Sequence, residues 1–297
     1  MATVTRGTLS SLLAPGLRKV IFDRYNQYPE QYSTIFRIGS STRKDETDQT
    51  IGGLEAAGSK TEGASISYTS PIEGYEKTYT HATYGMGVRV TEEMYEDEQY
   101  GVMKKMAAAL GRSARYTVET TAASVFNGGF TNTGPDGYSF FYASHPLLGG
   151  STFANRPSTE VDLSVAALKA GLTQLRKQVD DRNMLIAIKA QMLVVHPNDE
   201  WVAKEILNSA QAPYTADNEV NVLRGALKLV VWDYLTDTDA WFIGCGKVDH
   251  EVNFFWRRKI ASQASDDFDT GDAKFKVTGR WSSGYTDWRG WYGSTGI

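Results

Sequence analysis

Residues 45–80 limit the architecture more than any other stretch of the chain. They hold only four large aliphatic side chains, Ile51, Leu54, Ile66 and Ile72, and five glycines, Gly52, Gly53, Gly58, Gly63 and Gly74, interrupt any regular element. Ordering each backbone residue costs about 1–2 kcal/mol of chain entropy. A segment this poor in apolar surface cannot offset that with a core of its own, so it is either disordered or held against something else. Its borders nevertheless read as strands. Residues 34–38 are β-rich, and Tyr84, Met86, Val88 and Val90 alternate with Gly85, Gly87 and Arg89. Two strands around a long polar excursion predict an extended hairpin reaching away from its own domain. Loops of that length are usually functional or disordered.

A basic arm precedes the hairpin. Residues 1–44 carry seven Lys and Arg against two acids. Leu9, Leu12 and Leu13, then Leu17, Val20 and Ile21, predict a short helix interrupted at Pro15-Gly16. A long helix follows the hairpin. Thr91 can cap it, and Glu92, Glu93, Glu96, Asp97 and Glu98 place acids at its positive end. Met103, Met106, Leu110, Ala114, Thr117, Thr121 and Val125 recur every three or four residues up to the stop at Asn127-Gly128-Gly129. Such a helix is about 50 Å long, a spine for a whole domain. Gly101 and Gly111 each weaken it by about 1 kcal/mol relative to Ala.

The remainder mixes elements. A Gly/Pro/Asn-rich connection spans 128–157, and a second amphipathic helix is expected over 163–179. A buried strand over 192–195 ends at His196-Pro197, and Asn198 is read as the cap of a short helix carrying Trp201, Val202, Ile206 and Leu207. Strands are expected at 227–235, 240–245, 252–260 and 273–280, in a region that holds most of the seven tryptophans, all of which fall between Trp201 and Trp291. The class is α+β with mostly antiparallel strands.

Composition removes several functions. Hydrophobic residues at 41% and charged residues at 22% describe an ordinary globular chain. The net charge of -4 disfavours a protein that clamps bare nucleic acid. A single cysteine, Cys245, excludes a disulfide framework and a multi-cysteine zinc site. No apolar run reaches the ~20 residues a membrane helix needs, and the N-terminus is not read as a signal peptide, so a soluble intracellular protein without membrane association is expected.

Motifs that carry chemistry fail at specific places. Between Gly53 and Thr61 the chain imitates a phosphate-binding loop, but Ser59 separates Gly58 from Lys60, so the ammonium cannot curl over the cradle. Gly244-Cys245-Gly246 lacks the third glycine of a dinucleotide turn. The acidic run 266–272 imitates a calcium loop, yet Gly271 stands where a ligand belongs. His81, His145, His196 and His250 show no metal-binding spacing, and Ser144-His145 lacks a nucleophile elbow. Cys245 lies in an apolar strand and reads as an inert thiol. Asp180-Asp181 and Asp237/Asp239 read as turn residues. Arg257, Arg258 and Lys259 form a small basic cluster after Phe254-Phe255-Trp256, open to a cation–π or a phosphate contact. No catalytic, cofactor or metal site emerges.

The order of parts, with Tyr142-Ala-Ser-His145-Pro146-Leu147, Gly149-Gly150, Leu175-Arg-Lys-Gln-Val-Asp180-Asp181-Arg182, Leu193-Val-Val-His196-Pro197, Ala203-Lys-Glu-Ile-Leu-Asn208-Ser209 and Tyr214-Thr-Ala-Asp-Asn218-Glu219, resembles a tailed-phage major capsid protein, most closely the Mu-type major head subunit family. The resemblance implies an α+β Hong Kong 97-like fold with an N-terminal arm (1–34), an extended β-hairpin loop (35–90), a peripheral domain with the spine helix (91–160), an axial domain (161–245) and return strands of the peripheral domain (246–297). It implies a structural, non-enzymatic subunit. Hexamers and pentamers of it would form an icosahedral shell around double-stranded DNA, assembled in a bacterial cytoplasm and ending in the virion. Implied partners are copies of itself, a separate scaffold protein, a portal, decoration or head-completion proteins, and packaged DNA contacted without sequence preference; no cofactor is implied. Candidate inter-subunit contacts are Arg18, Lys19 and Arg24 on the arm, Ile51, Leu54, Ile66, Tyr68 and Tyr75 in the loop, and Glu92, Glu93 and Glu96 at the helix start. Arg257, Arg258 and Lys259 are the candidate DNA-facing cluster. Lys60 and Lys77 lie in the loop, where some family members crosslink a lysine to a neighbour's asparagine; no such bond is expected from the spacing here. An encapsulin-like nanocompartment shell is the near alternative, and a soluble hydrolase or nucleotide-binding enzyme the distant one.

Overall fold

The computed structural model describes residues 6–91, 93, 94, 97, 100–214, 220–267 and 270–297, with backbone only for 6–14, 100 and 266. Its helices are α1 (Arg6–Gln27), α2 (Tyr32–Ile35), α3 (Tyr100–Asn127), α4 (Val165–Arg176) and α5 (Glu200–Asn208). Its strands are β1 (Arg37–Ser40), β2 (Asp45–Gly52), β3 (Ile72–Thr80), β4 (Ala82–Val90), β5 (His145–Pro146), β6 (Thr152–Phe153), β7 (Ala190–Val195), β8 (Lys228–Val231), β9 (Trp241–Cys245), β10 (Val252–Asp266), β11 (Ala273–Tyr285) and β12 (Trp291–Ser294).

Two four-stranded sheets carry the body, one ordered β1-β10-β11-β4 and the other β12-β9-β7-β8. In the first, β10–β11 and β11–β4 are antiparallel, while β1 runs parallel to β10. The second mixes a parallel β7–β8 pair with antiparallel β7–β9 and β9–β12 pairs. Strand β7 shows why its sequence is continuously apolar. Met192 and Val194 face one core while Leu193 and Val195 face another, so both faces are buried. The first core joins the C-terminal half of α3 to both sheets and contains five of the seven tryptophans, Trp232, Trp256, Trp281, Trp288 and Trp291. The second packs α4 and α5 on the far face of the β12-β9-β7-β8 sheet and includes Trp241. Only Trp201, 68% exposed, stands outside the cores.

Several expected elements change shape. The arm is one helix through Pro15, with no break at Pro15-Gly16. A mid-helix proline costs about 3 kcal/mol. Burial of Leu17 and Ile21 against Val90, Met103, Ala107, Leu110 and Val277 is worth about 1.5–3 kcal/mol for each side chain and offsets it. Residues 32–35 form a helical turn, and the strand expected over 34–38 begins only at Arg37, because the Glu119 carboxylate accepts the amides of Gln31 (2.9 Å) and Tyr32 (3.1 Å) and caps the turn. Asn198 is no cap. The His196 ring Nδ1 accepts the Asn198 amide at 3.1 Å and opens a 3-10 turn ahead of α5. Strand β12 had no counterpart among the expected strands.

The spine helix is observed as α3, 28 residues long, or about 42 Å. Upstream of it the Met94 amide donates to Thr91 Oγ1 at 3.4 Å, the cap expected there. Glu92, Glu96 and Glu98 lie outside the described residues. The borders of the hairpin behave differently from expectation. Strands β1 and β4 do not pair with each other; they form opposite edges of one sheet. The ribbon is built instead from β2 and β3, inside the excursion read as polar loop, in antiparallel register from Asp45↔Thr80 to Gly52↔Ile72. Threonines and tyrosines in these strands favour extended backbone, and the inward face of the ribbon is lined by small or polar residues such as Asp48, Thr50 and Gly52, so its burial leaves little apolar alternation in the sequence.

Candidate functional site

The β2–β3 ribbon and residues 53–71 form a tongue rooted on the body. At its root Tyr79 is buried, with its hydroxyl 2.7 Å from Thr286 Oγ1 and accepting from Asn253 Nδ2 at 3.3 Å. Thr286 Oγ1 donates to Asp48 Oδ2 at 2.9 Å, so both legs of the tongue are tied to the same point. The Tyr79 ring meets Phe255 edge-on with centroids 5.1 Å apart, and burial pushes its phenol up to about 12. Beside this root, Glu251 keeps one buried carboxylate oxygen without a partner. Burial, reinforced by Asp287 and Asp48, raises its carboxyl to about 7.

Beyond the root the tongue has no regular structure from 53 to 71, and from 54 onward every one of these residues is exposed. The candidate contacts Ile51, Leu54 and Ile66 are exposed, Tyr68 is 95% exposed, and Tyr75 is half-buried. Leu54, Ile66 and Tyr68 therefore present apolar surface that none of the described residues covers. Residues 45–80 also carry seven acids against two bases, opposite in sign to residues 1–44. The phosphate-loop imitation at 53–61 sits wholly in this irregular stretch, and no helix follows it.

Arg182 touches the tongue where it leaves the ribbon. Its guanidinium donates to Gly53 O (2.8 Å), Ser70 O (2.9 Å) and Glu55 Oε1 (2.6 Å). The turn that holds it is rigidified by its neighbours. Asp180 Oδ1 accepts the amides of Arg182 and Met184, both at 2.8 Å, and Asn183 takes a φ of 62°. Asp181 accepts Arg289 Nη2 at 2.8 Å. The acids Asp180 and Asp181 are thus turn residues, as their placement suggested, but the arginine beside them gave no signal in spacing or periodicity.

The arm lies along its own spine. Arg18, Lys19 and Arg24 are exposed on α1, while Tyr25 is buried under Arg115, whose guanidinium lies 3.9 Å from the ring centroid. Arg115 also donates to Tyr25 O at 3.1 Å and to Glu30 at 2.9 Å. Glu93 is exposed, and Glu92 and Glu96 are not among the described residues.

The structure spreads the candidate basic cluster out. Arg257 is half-buried with its Nε unpartnered, exposed Arg258 donates to Thr278 Oγ1 at 3.0 Å, and exposed Lys259 borders a groove with Phe22, Tyr25 and Ile38. Irregular register on both sides of Arg258 breaks the alternation that would align them. Among the described residues, the cation–π contacts fall on other side chains.

The remaining chemical groups are braces. His145 is fully buried, its Nδ1 2.5 Å from Asp136 and its Nε2 3.2 Å from Asn155 Oδ1, with its ring stacked on Trp288 at 4.2 Å. Asn155 further donates to Phe140 O and accepts the Tyr142 amide, stitching down the 128–157 connection. Burial pushes the Cys245 thiol up to about 12, the inert state expected of it. In the acidic turn Arg89 occupies Asp272, and Lys274 pairs with Asp267, so cations of the chain itself answer these carboxylates. No group of three or more potential metal ligands occurs among the described residues, and no described helix is long and apolar enough to cross a membrane.

Residues 74–294 match the family model described as phage capsid protein. A curated relative, the Mu-like prophage FluMu major head subunit of Haemophilus influenzae, is 25% identical over 147 residues, which is 50% of this chain and 46% of that protein. The chain thus spans about half the length of the curated relative it matches. Among solved structures, the capsid of bacteriophage JBD30 decorated with minor capsid protein trimers superposes with a TM-score of 0.57 at 15% identity, over 70% of this chain and 92% of that one. The virus-like particle from Pyrococcus furiosus superposes with a TM-score of 0.56 at 10% identity, over 94% of this chain and 97% of that one. These likenesses establish the Hong Kong 97-like α+β fold that the sequence resemblance implied. With the family model covering about three-quarters of its length, the chain belongs to the phage capsid protein family.

Proposed function

We propose that this chain is a major capsid subunit that self-assembles into hexamers and pentamers of an icosahedral shell enclosing double-stranded DNA. The observation that carries this reading is the tongue, an anchored ribbon ending in exposed Leu54, Ile66 and Tyr68 that the described residues leave uncovered. A second copy supplies the missing surface. Stability of such a shell comes from summed area, and obligate interfaces commonly exceed ~2,000 Å². Within this reading the chain divides into an arm (1–34), an extended loop (35–90), a peripheral domain (91–160 with 246–297) and an axial domain (161–245). Arg18, Lys19 and Arg24, the tongue residues, and Glu92, Glu93 and Glu96 meet neighbouring copies. Arg257, Arg258 and Lys259 face packaged DNA through weak, salt-sensitive contacts. A separate scaffold, a portal and decoration or head-completion proteins complete the particle, which assembles in the bacterial cytoplasm and persists in the virion.

Expression of the full chain followed by negative-stain microscopy tests this. Closed shells, sheets or tubes support it; a protein that stays monomeric at every concentration, with or without scaffold, overturns it. The likeness to a virus-like particle keeps a nanocompartment shell as a second reading. Opened particles whose contents are protein and resist nuclease would favour that reading.

A further inference from the structure

Arg182 bridges the two ends of the irregular part of the tongue. It reaches the carbonyl of Gly53 on the outgoing leg and that of Ser70 on the returning leg, and it pairs with Glu55. The bridge closes the segment 53–70 into a loop whose ends are fixed on the 178–186 turn. That turn is itself held by the Asp180 carboxylate, by Asp180 N donating to Met184 O, and by the Asp181–Arg289 pair. Arg182 is mostly buried and Glu55 mostly exposed, with side-chain exposures of 19% and 64%. The guanidinium is therefore a fixed part of the body, and the tongue is the partner that can leave.

We propose that Arg182 is an intramolecular latch. It parks the tongue on its own chain, and docking of the tongue on a second copy has to release the latch first. This rests on the proposed shell function and adds a regulatory step to it. The latch restrains the end nearest the body and leaves Ile66 and Tyr68 exposed. A free subunit so restrained presents its apolar tip in one place, while the cost of unlatching raises the concentration at which copies engage. The contact is charge-assisted at Glu55, so it weakens with salt while burial of the tip does not.

The test uses the full chain and two readouts. The first is trypsin cleavage after Lys60 in dilute monomer, followed by mass. The second is the threshold concentration for particle formation by light scattering. Arg182→Ala is expected to speed cleavage at Lys60 at least threefold and to lower the assembly threshold at least threefold, with the unfolding midpoint of the body unchanged. Glu55→Gln, on an exposed side chain that cannot harm the fold, is expected to move both in the same direction by less. Unchanged cleavage in both Arg182→Ala and Glu55→Gln overturns the latch. Faster cleavage with an unchanged or higher threshold overturns its role in assembly and leaves Arg182 a plain brace. If the wild-type chain forms no particles, the shell reading fails, while the cleavage result still decides whether the contact restrains the tongue.

Discussion

Glu251 and His250, adjacent at the root of the tongue, carry opposite pH signatures. Burial first, then Asp287 and Asp48, raise Glu251 to about 7, so the fold prefers its protonated form while the unfolded chain ionises near 4.5. Its contribution to stability is therefore complete below pH 4.5 and is lost as pH rises through 7. Burial and then Arg37 lower His250 to about 4, so its contribution is complete above pH 6.5 and is lost as pH falls through 4. Glu251→Gln removes the first limb only. It should raise stability by about 1–3 kcal/mol at pH 8 and by almost nothing at pH 4, read by urea denaturation at the two pH values. An equal effect at both would mean that the carboxyl titrates normally. Phe126 belongs to the same scale. Its ring meets Phe36, Phe140, Phe141, Trp232, Phe242 and Trp291 at centroid distances from 4.8 to 6.2 Å. Phe126→Ala should cost about 3–5 kcal/mol, because so many rigid rings cannot collapse into the void.

Helices α1 and α3 cross where Gly111 removes a side chain. A Cβ at Gly111 would lie 2.2 Å from the Ile21 carbonyl oxygen, whereas a Cβ at Gly101 meets nothing within 4 Å. The same substitution on one helix should then have two signs. Gly101→Ala should stabilise by up to about 1 kcal/mol through helix propensity, and Gly111→Ala should destabilise by about 1–3 kcal/mol by forcing the helices apart. Thermal unfolding of the two variants decides it, and equal effects would remove the crossing from the account. From sequence both glycines read alike, as local helix weakeners, because the partner of Gly111 lies some ninety positions away. Elements with strong periodicity were legible for the opposite reason. The three- and four-residue spacing from Met103 to Val125 is local, and so are the apolar runs of β7 and β9. Ribbon strands β2 and β3 were not, since most residues on their inward face, Asp48, Thr50, Gly52 and Lys77 among them, are polar or small and leave no apolar alternation to read. The α2 turn depends on Glu119 and the latch on Arg182, and both are long-range polar contacts that no spacing encodes.

At the scale of the molecule, two sheets and a spine make a body with buried cores of its own, and the tongue is the part left incomplete. Its root is tied by Tyr79, Thr286 and Asp48, and its neck by Arg182. Past the neck, the backbone bond from Ala64 N to Thr61 O marks one isolated turn. Amides without acceptors exchange freely until another chain supplies contacts. Exposure of the glycine-rich stretch was legible from composition, and its anchoring was not, because the anchoring residues lie far apart in the chain. Hydrogen exchange on residues 56–69, compared between dilute monomer and assembled particle, tests the central claim directly. The account predicts near-intrinsic exchange in the monomer and strong protection in the particle. Equal protection in both states would contradict it.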